Sequence, residues 1–414
     1  MNTLVLIWSY FKARPLNTAI NILLLALGIA VITVLLLFNN QLEQKIADNS
    51  RGIDLVVGAK GSPLQLILCN IFHADFPTGN INLREADAIA KNRLISIAIP
   101  MALGDSYKSY RIIGTNHRYT ELYRATLSEG AWWKNNLEVT IGWNVAKLGK
   151  LKLADTFASA HGLSQEGHLH NEQLYVVTGV MKKTNGVLDN LILTNVESVW
   201  QMHETSEGQE KNAVTDASGL RSALIPAAPA SDSAREITSL LIKYRSPLAA
   251  VQLPRLVNSQ TRLQAASPAF ETARLFSILG VGIDLLMGFA YVLVFTSGLS
   301  IFIALYNSLK ERRYDMAVMR SMGASRRKLF TSVLAEGVLL TALGSGAGLI
   351  MGHGLLIALS ILVEQPQKVG ITGFIFYPEE WIILVGSLLL GAICALIPAW
   401  QAYRSDISRV LSTA

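Results

Sequence analysis

The residue types best suited to chemistry in this chain are few and lie far apart. His161, His168 and His170 fall within HGLSQEGHLH, with Glu166 and Glu172 close by. Imidazole and carboxylate are ligands that suit Zn²⁺, and on an extended segment His168 and His170 share one face. The same stretch is polar and contains glycine, which is also how the solvated tip of a hairpin reads. His73, in IFHADFPTGN, reads as a structural turn residue. No HExxH and no nucleophile elbow occurs. A loop that wraps phosphates needs Gly-x-x-x-x-Gly-Lys-Ser/Thr, and Gly58-Ala-Lys-Gly-Ser lacks that order. No catalytic residue and no cofactor bound by this chain is expected.

Three further ionisable residues sit in strongly apolar runs: Asp284, Glu336 and His353. Such groups are costly in lipid and mark either function or a hydrogen bond between helices. Asp284 is expected near the outer interface. Glu336 can reach another helix or the adjoining basic loop, and His353 packs deeper, beside glycines.

The elements that must hold these residues are four apolar runs. Ala19 to Phe38 is uncharged and long enough to span about 30 Å of hydrocarbon as a helix. Lys12 and Arg14 precede it, Pro15 suits the first turn, and no small-x-small cleavage site follows, so an uncleaved anchor is expected. The others are Ile278 to Tyr306, Leu329 to Val363 and Trp381 to Tyr403. Gly344, Gly348 and Gly352 recur at four-residue intervals, placing them on one helix face where a second helix can approach closely. Trp381 and Trp400 lie near the ends of the last run, as interfacial aromatics do.

Between the first two runs, strand-like segments such as Tyr175–Val180 and Leu191–Thr194 alternate with helical ones such as Leu83–Lys91. Ser62-Pro63 starts a helix whose expected inner face is Leu64, Ile67, Leu68, Ile71 and Phe72. Residues 204–234, rich in Ser, Ala and Pro, read as a flexible loop. ITSLLIKY from Ile237 reads as a strand, and residues 247–276 as a helical connector. The expected fold is an α-helical membrane protein with four transmembrane helices plus a mixed α/β extracytoplasmic domain. Its parts are residues 1–40, the domain over 41–274, and 275–414.

Charge sets the orientation. Tyr306 to Glu336 holds Lys310, Arg312, Arg313, Arg320, Arg326, Arg327 and Lys328, seven of the 36 Lys and Arg residues. A basic segment between two spans stays on the cytoplasmic side. The loop before the fourth run has Lys368 against Glu364, Glu379 and Glu380, as an outer loop should. Both termini are then cytoplasmic and the large domain lies outside. Net charge is +6 and the pI about 9.2, but residues 41–274 carry 24 basic and 22 acidic side chains. The excess hugs the apolar runs, which points to membrane orientation and not to nucleic acid. The two cysteines, Cys69 and Cys394, imply no disulfide framework.

The run from Asn307, NSLKERRYDMAVMRSMGASRRKLF, with Glu336 downstream, resembles the signature of FtsX-like/MacB-type ABC permeases, the mechanotransmission family. Pro398-Ala-Trp-Gln-Ala-Tyr-Arg with Ile407 to Leu411 resembles its closing segment. Arg111-Ile-Ile-Gly-Thr, Leu127-Ser-Glu-Gly, Val139-Thr-Ile-Gly-Trp-Asn-Val-Ala and Val176-Val-Thr-Gly-Val resemble the MacB-like outer domain. The resemblance implies a permease homodimer or heterodimer bound to a cytoplasmic ABC ATPase subunit, which would hold the ATP and magnesium. It implies a coupling segment over 307–330, with Arg312, Arg313, Met316, Met319, Arg320, Gly323, Ala324, Ser325 and Arg326 against that ATPase. It also implies the inner membrane, its lipid, and a periplasmic or outer-membrane partner. The expected output is export or extraction of cargo from the outer face. An alternative is a signalling scaffold that activates an outer partner. The residues themselves agree with docking: Tyr306 to Phe330 carries net charge +5, seven cations against Glu311 and Asp315. Methionines between the cations offer adaptable apolar contact, and Gly323 would end one helix before Ser325 caps the next.

Overall fold

A computed structural model of the chain describes residues 3–160, 173–202, 235–362 and 371–404. The three candidate metal-binding histidines, the 204–234 loop and Ile407 to Leu411 lie outside these residues. The chain divides into two compact units. One comprises Met1–Leu42, Ile278–Glu364 and Gly370–Ala414; the other comprises Glu43–Ser277 with Gln365–Val369. The chain begins with α1 (Thr3–Ala13), and Pro15 opens α2 (Pro15–Asn49) after a one-residue break.

The second unit is mixed α/β. Its first half contains β1 (Leu55–Ala59), α3 (Pro63–Asn70), β2 (Ile81–Asn82), α4 (Leu83–Ala90), β3 (Ile95–Tyr107), β4 (Tyr110–Gly114), α5 (His117–Leu122), β5 (Leu127–Gly130), β6 (Glu138–Ile141) and α6 (Trp143–Lys147). Then come β7 (Thr156–Phe157), β8 (Tyr175–Met181), β9 (Leu191–Thr194), α7 (196–202), β10 (Glu236–Ile237), β11 (Ser239–Tyr244), α8 (Pro247–Gln260) and β12 (Leu263–Ala266). The main sheet runs β12-β1-β11-β3-β4-β9-β6-β8-β5, with β7 on β8, and β10 pairs β2 apart from it. Its organising strand is β3, thirteen residues long. Residues Ile95 to Met101 pair with β11, and Ala102 to Tyr107 pair with β4. One strand thus joins the two halves of the sheet, and a shared core that includes Val56, Leu66, Leu241, Ile113, Trp133 and Leu193 spans both, with two further clusters beside it. Leu55, Val57, Ile242, Leu253 and Val257 fill one, while Tyr110, Ile141, Val177 and Ile192 fill the other.

Three sequence expectations are corrected here. Residues 247–276 are not one helical connector, because Leu263–Ala266 pairs with β1 as an edge strand. ITSLLIKY is split at Thr238 between β10 and β11, which belong to different sheets. Ser62 does cap α3, accepting from the Gln65 N–H at 3.4 Å; of the expected face, Ile67 and Ile71 are buried and Phe72 packs against their core, whereas Leu64 and Leu68 are half-buried and Leu66, Cys69 and Asn70 are buried instead. Asn70 is satisfied inside: it donates to the Leu66 carbonyl at 2.9 Å and accepts from the Ser239 hydroxyl at 2.6 Å. Burial pushes the Cys69 thiol up to about 11, so it stays an unreactive thiol.

The first unit is completed by α9 (Pro268–Glu311), α10 (Arg313–Ser321), α11 (Arg326–Leu362) and α12 (Glu379–Arg404). α2, α9, α11 and α12 are long and apolar enough to cross a membrane. Small residues mark their contacts. A Cβ on Gly344 would lie 2.8 Å from Leu25, one on Gly348 would lie 2.6 Å from Ile29, and one on Gly352 would lie 2.8 Å from Thr33. The four-residue glycine ridge of α11 thus meets a four-residue ridge of α2. Gly28 admits Val294 of α9, Gly298 faces Leu390 and Cys394 of α12, and Gly337 faces Ala395.

Candidate coupling site

Arg312 occupies the break between α9 and α10. Its guanidinium carbon lies 3.4 Å from the Tyr10 ring centroid. Its Nη1 donates to both Glu336 oxygens, at 3.1 and 3.3 Å. The two side chains are only 17% and 9% exposed, so water screens this pair weakly. Next to it, Arg14 pairs with Glu311. Residues from α1, α9 and α11 therefore converge on one point beside the start of α10. Neither Tyr10 nor the α1 contribution is evident from the motif.

α10 has two unlike faces. Met316 and Ala317 are buried, and Met316 packs with Leu309, Leu329 and Ala402, with Met319 and Val333 against them. The outward face carries Arg313, Tyr314 and Asp315 and continues through Ser321 and Met322, which is 82% exposed. Gly323, at φ +96°, turns the chain, a conformation that strains any residue with a Cβ. Ser325 then accepts from the Lys328 N–H at 3.3 Å as α11 begins. Of the expected docking residues, Arg312 and Met316 point inward, where each has a partner in the helical unit. Met319 is partly covered, and Arg320 and Ala324 are half-buried. The exposed part of the set is Arg313, Gly323, Ser325 and Arg326, to which Tyr314, Met322, Arg327 and Lys328 are added.

A second polar node holds the other end of α11. His353 Nδ1 lies 2.7 Å from the Gly373 carbonyl, and Nε2 lies 2.9 Å from Glu380 Oε2. A carbonyl only accepts, so Nδ1 carries the hydrogen. The ring stacks on Phe376 with centroids 4.3 Å apart, and Glu380 also accepts from the Tyr377 N–H at 2.9 Å. Gln41 and Thr372 exchange two hydrogen bonds of 2.8 Å. Together these tie the segment before α12 to both α2 and α11. Asp284 is exposed on α9. Among the described residues, no cluster of three or more His, Cys, Asp and Glu could hold a metal.

This architecture defines a class: a multi-pass membrane protein with a large α/β domain inserted between its first and second spanning helices. Residues 18–271 match the MacB-like periplasmic core domain, and residues 287–407 match the FtsX-like permease C-terminal model. The chain belongs to that family, the ABC transporter permeases of the MacB/FtsX type.

Among relatives, YknZ of Bacillus subtilis (strain 168), an uncharacterized ABC transporter permease, is 22% identical over 299 residues, which is 71% of this chain and 67% of YknZ. The macrolide export ATP-binding/permease protein MacB of Syntrophobacter fumaroxidans is 26% identical over 123 residues, 30% of this chain but 16% of that one. YvrN of B. subtilis, another uncharacterized ABC transporter permease, is 30% identical over 95 residues, 23% of this chain and 22% of YvrN. The chain thus spans only a small part of the last two. The crystal structure of the periplasmic region of MacB from Actinobacillus actinomycetemcomitans aligns over 56% of this chain and 98% of its own, at 14% identity and a TM-score of 0.33. The extracellular domain of YknZ aligns over 52% and 99%, at 12% identity and a TM-score of 0.29.

Proposed function

We propose that this chain is the membrane subunit of an ATP-driven exporter. It couples hydrolysis on a separate cytoplasmic ABC ATPase to movement of the α/β domain, and so to export or extraction of cargo at the outer face. The observation that carries this reading is the corner between α10 and α11. One side of α10 is locked into the helical unit through Met316, and its other side offers cations beside exposed Tyr314 and Met322. A charged rim around exposed aromatic and Met side chains is the chemistry of a protein interface. Because the Arg312–Glu336 pair joins this corner to α11, a push on α10 would shift whole helices instead of bending a loop. The basic segment puts the corner in the cytoplasm, with both termini there and the α/β domain outside the inner membrane. The working assembly is a permease dimer, of identical or related chains, with one ATPase on each half. A periplasmic or outer-membrane partner would complete the export route.

Association with the ATPase tests the reading. The full chain is co-expressed with an ABC ATPase subunit from its own genome, and the complex is captured from detergent. Met322→Glu with Arg326→Glu should weaken capture by at least thirtyfold, the equivalent of about 2 kcal/mol at an interface hot spot. Undiminished capture of a folded double variant would place the interface elsewhere.

A further inference from the structure

Arg312 is the hinge residue between α9 and α10, and its backbone belongs to both. Its N–H donates to the Ser308 carbonyl at 3.1 Å, which closes α9. Its carbonyl accepts from the Met316 N–H at 3.0 Å, which opens α10. Its φ and ψ, −91° and 9°, lie between the helical and extended regions. Holding the Arg312 side chain still is therefore a way to fix the angle at which α10 leaves α9.

Three observations give that task to α1. The first is how Arg312 is held. Both hydrogen bonds to Glu336 leave from one nitrogen, Nη1, at 3.1 and 3.3 Å. A guanidinium held at one nitrogen can still swing about it. The Tyr10 ring removes that freedom, because the guanidinium carbon lies 3.4 Å from the ring centroid, in flat contact with the ring face.

The second is the packing beneath α10. A gap of about 30 Å³, more than one water needs, is lined by Ser308, Met316, Met319 and Val333 as well as Tyr10 and Arg312. Methionines re-pack readily, so α10 has room to rock, and its angle has to be held at the hinge.

The third is that docking α1 does not need Tyr10. Ile7 and Phe11, 0% and 8% exposed, dock it against Leu305 and Leu340. Tyr10 is half-buried. One turn further on, Arg14 pairs with Glu311, the residue before Arg312. From one side, α1 thus grips both residues at the break.

We propose that Tyr10 is a positioning residue for coupling. Its ring holds the Arg312 guanidinium in place on Glu336, so that α1 sets the stiffness of the α9–α10 hinge and with it how much of a push on α10 reaches α9 and α11. The inference rests on the reading of α10 as the ATPase contact and adds α1 as the element that regulates it.

The full chain in nanodiscs with the ATPase bound tests it. Tyr10→Leu removes the ring face, Tyr10→Phe keeps it, and Trp8→Leu alters an exposed position of the same helix. Amide hydrogen exchange over residues 308–322 should rise about tenfold in Tyr10→Leu, as expected for one partly desolvated cation–π contact. It should stay at the wild-type rate in the other two, and exchange over residues 340–356 should not change. ATPase capture should be equal in all three, because the outward face of α10 is intact. The ATP-driven distance change between dyes at exposed Lys134 and Phe374 should fall severalfold in Tyr10→Leu alone. Unchanged hinge exchange, an equal effect of Tyr10→Phe, lost capture, or full movement across a loosened hinge would each overturn the proposal. A wild-type chain that captures no ATPase would sink the underlying reading and this proposal with it, a failure told apart because it appears before any substitution.

Discussion

At Arg312 the guanidinium has partners of two kinds, the Glu336 carboxylate and the Tyr10 ring. Removing one charge of a buried pair leaves the other unpaired and costs more than the pair contributes. Glu336→Gln should therefore destabilise the helical unit by about 3 kcal/mol, read as a lower thermal midpoint in detergent. His73 gives a pH dependence in the α/β unit. It lies at φ 52°, and its Nε2 is 3.0 Å from the Tyr119 hydroxyl. Burial, then the nearby Arg111, lowers its pKa from 6.5 to about 3. Unfolded chains take up a proton near pH 6.5 that the fold refuses until about pH 3. Stability contributed by neutral His73 is thus present above pH 6.5 and falls as pH drops through that window, by at most about 1.4 kcal/mol per unit. His73→Asn tolerates the left-handed backbone and should flatten this part of the pH profile of unfolding. Glu336 and His353 were legible because an ionisable group in an apolar run stands out. The basic segment was legible as a partner for Glu336, and Arg312, 24 residues away, is the residue that fills that place; Glu380, 27 residues from His353, was not legible. The charge of the basic segment points toward Glu336, whereas nothing local points His353 toward Glu380.

Among elements, the ridge of Gly344, Gly348 and Gly352 carries the clearest prediction. A methyl on Gly348 would meet Ile29 at 2.6 Å and the Ala26 carbonyl at 2.8 Å, whereas one on Gly346 meets nothing within 4 Å. Gly348→Ala should cost about 1–3 kcal/mol by forcing α11 away from α2. Gly346→Ala should be neutral or gain up to about 1 kcal/mol through helix propensity. Thermal unfolding of the two variants side by side separates packing from propensity; equal effects would refute the ridge contact. Four-residue spacing is visible along one strand of sequence, so the ridge could be read directly. β12 could not, because four residues become a strand only when β1 offers its edge. The inward turn of Met316 escaped for a related reason: alternating cations and methionines on a short helix do not say which face the rest of the unit will cover.

On the scale of the whole molecule, four apolar runs and a charge-balanced insert were enough to divide the chain, because lipid acts on each run separately. The order of the main sheet was out of reach: Leu55 pairs with Ile242, and no local pattern joins them. What the architecture offers is a continuous α9, from Pro268 to Glu311, ending at the break where Arg312 and the outward face of α10 lie. The central claim is that nucleotide-driven force at this corner moves the α/β unit. Single-molecule energy transfer tests it most directly, with dyes at exposed Lys134 of the α/β unit and exposed Phe374 of the helical unit, in nanodiscs with the ATPase bound. The distance should change on ATP binding, return after hydrolysis, and stay fixed in Met322→Glu with Arg326→Glu. A wild-type distance that stays constant while ATP is turned over would contradict the account.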